Sequence, residues 1–493
     1  MFKCIISIFA FATVFAGSNA SPLLGEVVGG LTGVVNGVTD ALPIPQPQSK
    51  DPFYQPPSGF EGKAPGDILR TRKVASAFVG LIPDPVEAHQ LLYRTTAQNG
   101  SAIVSVTTVF KPLNAKKDRF VSFQTAYDGA ARSGICDPSY NYQLLSIQFD
   151  LISSVEFLLL QAFLLDGNIV SSSDYEGPDA AFTAGRLSGM GVLDSMRAVT
   201  NFKDTLGFST DNPKVVGYGY SGGAIATGWA ASLQPSYAPE LAIKGWAQGG
   251  TPANLTGTAV YVDGTLFSGF LPQALAGLSA PTAYGEQLLP VFDEIITPYG
   301  QSVLDTAKQI CSAENILTFT FQSVQSTKVQ TLGDRIFYEP TIRGVLDDNL
   351  MGQRANETPT APVYIFHAPP DEIIPYENAT TLRDEWCGYG ADVEFVTIAA
   401  GGHATTEIIG FPGAFQFVQD AFEDKVSRGC SQKTVLNETL NPLALGVNLE
   451  PILVNLLNGI AKAGKKDGNI LSDVGILNKT LDLDLPLNLT LLD

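Results

Sequence analysis

Lys214-Val215-Val216-Gly217-Tyr218, then Gly219-Tyr220-Ser221-Gly222-Gly223, then a small-residue run to Leu233: strand, turn and helix follow one another without a gap. The first segment predicts a buried β-strand, and the last a helix from about Gly222 to Leu233. The turn between them is G-x-S-x-G in the context that pattern requires. Small residues flank the serine, so neighbouring backbones can approach and the turn can be tight. Ser221 Oγ then points out at the carboxyl end of the strand. The N–H of Gly222 opens the helix, aimed where negative charge would develop on a carbonyl oxygen. In a chain with 48 glycines the five-residue pattern alone carries little. The strand before it and the helix after it single out Ser221 as a nucleophile rather than a turn serine.

Outward from this unit, further strands are predicted at Phe120–Gln124, at Asn168-Ile169-Val170 running into Ser171–Asp174, at Pro362–His367 and at Val393–Ile398. Helical stretches separate them, which implies crossover connections and a mainly parallel sheet, an α/β fold. Between about 251 and 353 the texture turns helix- and loop-like, with helices expected at Leu271–Leu278, Gly285–Ile296 and Gln301–Cys311. An insertion of that size between two sheet strands predicts a cap.

A serine hydroxyl needs an adjacent base. His89, His367 and His403 are the candidates. His89 precedes the predicted sheet and reads as structural. His367 ends a strand and reads as packing or site-lining. His403, in Ala400-Gly401-Gly402-His403, is expected on a loop after the Val393–Ile398 strand, as the chain order Ser…Asp…His demands. The orienting acid is expected between them. Asp371 qualifies, in a loop stiffened by Pro369 and Pro370, with Glu372 as its rival. A second oxyanion donor is expected from the loop after an early strand, which points to the backbone N–H of Asp128 in Tyr127-Asp128-Gly129. Asp174, Glu176 and Gly177 form a further strand-end cluster, read as structural or site-lining. Gly249-Gly250 is expected to permit close packing near the nucleophile helix.

The formal charge of −19 argues against a nucleic-acid binder, which needs clustered Lys and Arg for phosphate contacts. It also argues against electrostatic docking on anionic lipid, while leaving contact with a neutral lipid–water surface open. Hydrophobic residues at 45% supply a large core. Residues 1–20 read as a signal peptide: Lys3, an apolar run to Ala16, and a small-residue site ending at Ala20. No later stretch is apolar enough to span a bilayer, so a secreted protein without stable membrane insertion is expected. Residues 21–50 read as a flexible arm. Cys136, Cys311, Cys387 and Cys430 remain after the leader; without C-x-x-C spacing they read as disulfides, with three pairings possible. Sequons begin at Asn99, Asn254, Asn356, Asn378, Asn437, Asn478 and Asn488, consistent with a glycoprotein. Residues 431–493 read as a C-terminal tail, with Lys465-Lys466 a weak processing signal. No metal or organic cofactor is implied.

Asp51-Pro52-Phe53-Tyr54, Tyr93-Arg94-Thr95-Thr96, the Tyr127-Asp128 loop, Ser173-Asp174-Tyr175-Glu176-Gly177 and Gly219–Gly223 follow one another in order. Ser236–Leu241, Gly249-Gly250-Thr251-Pro252, Asp371–Tyr376 and His403 with Glu407-Ile408 continue the series. Over 51–430 the chain thus resembles the fungal secretory lipases of the Candida lipase-A type. The resemblance implies an α/β-hydrolase fold with a helical cap, a Ser221–Asp371–His403 triad and oxyanion donors at Gly222 and Asp128. It also implies the disulfides Cys136–Cys311 and Cys387–Cys430. The expected activity is triacylglycerol hydrolysis by a monomer acting on lipid or ester substrates. A non-lipase carboxylesterase, an acyltransferase and a catalytically silent lipid-binding protein are the alternatives. The family's histidine loop often has a bulkier residue before the histidine; Gly401-Gly402 departs from that and is expected to loosen the loop.

Overall fold

A computed structural model describes residues 44–435, except 79, 81, 85 and 147–150. The expected leader, most of the arm, the tail beyond 435 and the sequons at Asn437, Asn478 and Asn488 lie outside the described residues. Strands β1 (Ile68–Val74), β4 (Glu87–Thr96), β5 (Ala102–Lys111), β6 (Arg119–Gln124), β7 (Ile169–Ser173) and β8 (Lys214–Tyr220) belong to one sheet. So do β9 (Ile243–Gly249), β10 (Val363–His367), β11 (Val393–Ile398) and β12 (Ser431–Val435), while β2 (Ala77–Phe78) and β3 (Ile82–Pro83) pair separately. The ten-stranded order is β1-β4-β5-β7-β6-β8-β9-β10-β11-β12. From β7 to β12 every neighbouring pair is parallel, and β1, β4, β5 and β7 pair antiparallel.

Two boundaries differ from the expectation. The sheet continues past Cys430, because Ser431–Val435 adds as an edge strand beside β11. The end of the arm is also anchored, since Ser49 donates its N–H to the Ser133 carbonyl at 3.0 Å.

The sequence of β8 explains how the sheet is covered. Side chains alternate between faces along a strand. Val216, Tyr218 and Tyr220 lie in the core shared with α1 (Leu151–Leu165) and with the helix His403–Phe422. Gly217 and Gly219 turn to the other face. A Cβ at Gly217 would collide with the Trp246 ring, and one at Gly219 with the Gly223 carbonyl. That face carries α2 (Gly185–Asn201) and α3 (Gly222–Tyr237), which also pack closely: Gly185 and Gly189 both lie against Trp229. Glycine is thus spent where helix, strand and indole meet without room for a methyl group.

Between β9 and β10 the chain forms a helical layer: α4 (Leu255–Val262), α5 (Phe270–Leu278), α6 (Gly285–Ile295), α7 (Pro298–Ala307), α8 (Ser312–Phe319) and α9 (Pro340–Asp348). Helix α7 begins three residues before the expected start. Pro298 occupies its first turn and the Thr297 hydroxyl accepts the Gly300 N–H at 3.0 Å, a start signal that overrides the apolar spacing. The chain then completes α10 (Tyr376–Gly388) and α11 (His403–Phe422). Disulfides join Cys136 to Cys311 and Cys387 to Cys430. The first ties the loop after β6 to the helical layer, and the second ties α10 to the start of β12. Asn99 and Asn356 are exposed, whereas Asn254 caps α4 by accepting the Gly257 N–H.

Candidate active site

Parallel strands present all their carboxyl ends at one edge of a sheet. From β6 the chain runs to β7 on one side and then crosses to β8 on the other. The crevice between the carboxyl ends of β6 and β8 is therefore a topological switch point, where open α/β sheets take their ligands. The segments that follow β6, β8, β10 and β11 carry Asp128, Ser221, Asp371 and His403, and all open onto that edge.

Ser221 sits between β8 and α3 with φ 52° and ψ −121°. This backbone is strained for a non-glycine residue. It is held by the Ser221 N–H, which donates to the Gly249 carbonyl at 3.0 Å. Gly223 lies so close to the Gln124 carbonyl that no Cβ fits there. The Ser221 hydroxyl donates to His403 Nε2 at 2.7 Å, and His403 Nδ1 donates to Asp371 Oδ2 at 2.8 Å. The direction follows from chemistry: a carboxylate only accepts, so in the neutral ring Nδ1 carries the proton and Nε2 is the acceptor.

Asp371 is buried in the loop after β10. Its Oδ1 accepts the N–H groups of Ile373 at 2.9 Å and Ile374 at 2.7 Å. Burial pushes this carboxyl up, but the His403 charge and the hydrogen bonds from His367 and His403 outweigh it and hold it well below the usual range. His403 is pushed down by burial. The Asp371 charge and hydrogen bond, with Glu372 and Glu407 beyond, outweigh that and raise it to about 8.

His403 is not on a loose loop: it is the first residue of α11. Its backbone N–H donates to the Glu372 carboxylate at 2.9 Å, which gives the rival acid a different task. Gly401 has φ 112°, a conformation that a side chain would strain, and the Thr406 N–H donates to the Gly402 carbonyl at 3.0 Å. The glycine pair thus makes a fixed turn into the helix. Tyr220 donates its hydroxyl to the His403 carbonyl at 2.6 Å. Gly250, with φ 51°, leaves the space these rings fill: a Cβ there would lie 2.8 Å from Tyr220 and 2.9 Å from His403. Gly249 packs against Phe366. The pair therefore packs against Phe366, Tyr220 and His403, while the Gly249 carbonyl holds the Ser221 N–H at the start of the nucleophile helix.

Asp128 has φ 47°, and its carboxyl lies directly over Gly222, where a Cβ would collide with it. The loop after β6 and the start of α3 are thereby in contact. Among the buttresses of that loop are Glu156, which accepts the Ala126 N–H at 2.5 Å, and Tyr175, which donates to the Thr125 carbonyl at 2.7 Å. The Glu176 N–H donates to the Tyr127 hydroxyl at 2.9 Å, and Asp174 accepts the Ser139 N–H at 3.0 Å. Both acids are buried, and neither lines the cavity described next. His89 lies in β4, bonded to Glu87 at 2.8 Å, far in the sheet order from Ser221.

Ser221, Gly222 and Asp128 form one wall of a cavity with about 930 Å³ of empty space, mouth included. Its other walls are almost wholly apolar and come mainly from the helical layer, with Leu255, Val262, Phe270, Leu278, Phe292 and Val345 among them. Ile373 and Ile374, next to the acid, complete it. Among the described residues no group of His, Cys, Asp and Glu is arranged to hold a metal ion.

A sequence model of the secretory lipase family matches residues 144–429. The chain belongs to the secretory lipase family. It is 41% identical over 428 residues to the secreted triacylglycerol lipase LIP1 of Malassezia furfur, an overlap covering 86% of each chain. It is 37% identical over 397 residues to Lipase 4 of Candida albicans, covering 79% of this chain and 85% of the other. The solved structure of Candida antarctica lipase A matches with a TM-score of 0.73 at 31% identity, over 84% of this chain and 96% of that one. The fold is an α/β-hydrolase fold. Sequence reasoning missed the Glu372 contact and the buried Glu156. It also left Glu407, noted only as part of a family motif, without a role.

Proposed function

We propose that the protein is a secreted triacylglycerol lipase working through an acyl-enzyme on Ser221. The observation that carries this reading is the hydrogen-bonded chain Ser221–His403–Asp371 at the wall of a cavity whose other walls are almost wholly apolar, the lining an acyl chain requires. Membership of the secretory lipase family supports the same conclusion. His403 Nε2 takes the Ser221 proton as Oγ attacks the ester carbonyl. The N–H groups of Gly222 and Asp128 receive the oxyanion; the first N–H groups of a helix have no partner within it. The imidazolium, stabilised by Asp371, returns the proton to the leaving alcohol. Water, activated by the same histidine, then releases the fatty acid.

The leader 1–20 is proposed to direct secretion, and the helical layer 251–353 to act as the cap over the acyl chain. One chain supplies every element of the site, in keeping with a monomer. Contact with a lipid–water surface is assigned to the cap, where Val260, Tyr261, Leu317, Phe321 and Tyr338 expose large apolar side chains. No helix among the described residues is long and apolar enough to cross a membrane. The test is hydrolysis of p-nitrophenyl esters and emulsified triglyceride, side by side for the native protein and Ser221→Ala. Activity on both substrates is expected, with kcat falling by about 10⁶ in the variant, as for a protease serine. Activity on short soluble esters alone would make the protein an esterase. Folded native protein inactive on both would overturn the reading.

A further inference from the structure

His367 is the last residue of β10 and is fully buried. Its Nε2 lies 3.0 Å from Asp371 Oδ2, the same oxygen that accepts from His403, and 3.1 Å from the Ile374 carbonyl. Both neighbours are acceptors, so Nε2 carries a proton and divides it between them. Nδ1 is buried with no hydrogen-bond partner among the described residues. The Tyr376 ring stands edge-on at 5.7 Å. A ring that only filled space would not need a donor aimed at the acid.

We propose that His367 is a positioning residue for the hydrolytic site: a second histidine on the acid, fixing the carboxylate that orients His403. This rests on the assignment of Asp371 as the triad acid. The backbone N–H groups of Ile373 and Ile374 hold Oδ1 alone. A carboxylate held at one oxygen can still turn about its Cβ–Cγ bond. The donor from His367 pins Oδ2 and leaves it one direction in which to meet His403 Nδ1. The same proton grips the Ile374 carbonyl, and Ile373 and Ile374 wall the cavity. His367 therefore sets the distance between the acid and the acyl site as well as the acid's angle.

The test compares His367→Gln with His367→Leu in the full chain. The glutamine Nε2 stands as many bonds from the backbone as the histidine Nε2, and its two N–H groups match the two acceptors. Leucine fills space and donates nothing. His367→Gln is expected to keep kcat within about threefold, while His367→Leu loses about 10- to 100-fold in kcat with KM nearly unchanged. Labelling of Ser221 by a fluorophosphonate is expected to slow in the same proportion. Should the leucine variant fail to fold by circular dichroism, His367→Asn, polar but one bond too short, takes its place and must show the same loss. Folded His367→Leu with native kcat, or His367→Gln losing as much as His367→Leu, would overturn the proposal. Failure of the hydrolase reading itself looks different, because native protein would then neither turn over esters nor take the label.

Discussion

Asp371 accepts from His403, and Glu407 lies one helical turn along α11 from the same histidine. Both carboxyls are buried, yet they differ in charge. Asp371 is met by four donors and stays ionised. Glu407 and Glu156 act on each other's ionisation, and among the described residues the backbone donor to the pair is the Ala126 N–H, which Glu156 accepts. Burial pushes both glutamates up, and for Glu156 the neighbouring Glu407 adds to it. The difference teaches that burial alone does not decide the state of a carboxyl; the charges and donors that face it do. A group meant to carry charge is furnished with N–H groups. A group used as a clip keeps its own proton as the donor. The Glu156–Glu407 clip joins the helix that carries His403 to the loop that carries Asp128.

The sharpest way to break the contrast is to remove the charge from Asp371 and keep its shape. Asp371→Asn is expected to lower kcat by about 10⁴, because the amide can present a donor to His403 Nδ1 and reverse its tautomer. The measurement is kcat on a soluble ester, with fold checked by circular dichroism. A loss below about tenfold would mean that Asp371 does not orient the histidine. Glu372, already bonded to the His403 backbone, would then be the residue to test.

Much of this contrast was legible in the sequence, but only one half of it. Ser221 could be read because its neighbours have no other reason to be so small in a strand-to-helix turn. Asp371 and His403 followed from chain order and from their positions past strands. The secondary structure around β6, β8, β10 and β11 was readable for the same reason, since each strand is a short apolar run bounded by turn residues. The antiparallel β4 and β5 were not, because both faces are buried and their polar residues, such as Gln90 and Thr108, pair with each other rather than marking an outer face. β12 escaped because its side chains are largely exposed and polar. The Glu156–Glu407 contact joins α1 to α11, and nothing local in either helix announces a partner so distant in sequence. His367 reads from the sequence as packing or site-lining, without a named partner, because the turn that brings Asp371 back onto the end of its own strand is a matter of loop geometry, not of spacing.

A pH scan sharpens the comparison from the histidine's side. His403 must be neutral to accept the serine proton, and its pKa is raised to about 8. On the acid side of that value kcat/KM is expected to fall about tenfold per pH unit. Stability should run the other way. A histidine raised in the folded state contributes stability that is fully present below its unfolded value, near 6.5, and is lost as pH rises through about 8. Rate and Tm measured across the same pH series should therefore cross. A flat rate profile between pH 6 and 8 would mean that Asp371 does not hold the histidine up.

The smallest expected effect belongs to the clip. The two glutamates bind protons in the folded state above the pH at which an unfolded chain releases them. The sign follows: their contribution to stability is fully present below the unfolded carboxyl range and is lost as pH rises through the raised folded values. Glu407→Gln keeps the size, keeps a donor for Glu156 and removes one titrating group. Over the window between unfolded and folded values, one such group accounts for up to about 1.4 kcal/mol per pH unit. The variant's Tm should thus fall less steeply than the native protein's from pH 5 to pH 8, with kcat little changed at the pH where His403 is neutral. Parallel Tm curves would mean that Glu407 is ionised in the folded protein. A donor would then be facing it, and the contrast with Asp371 would disappear.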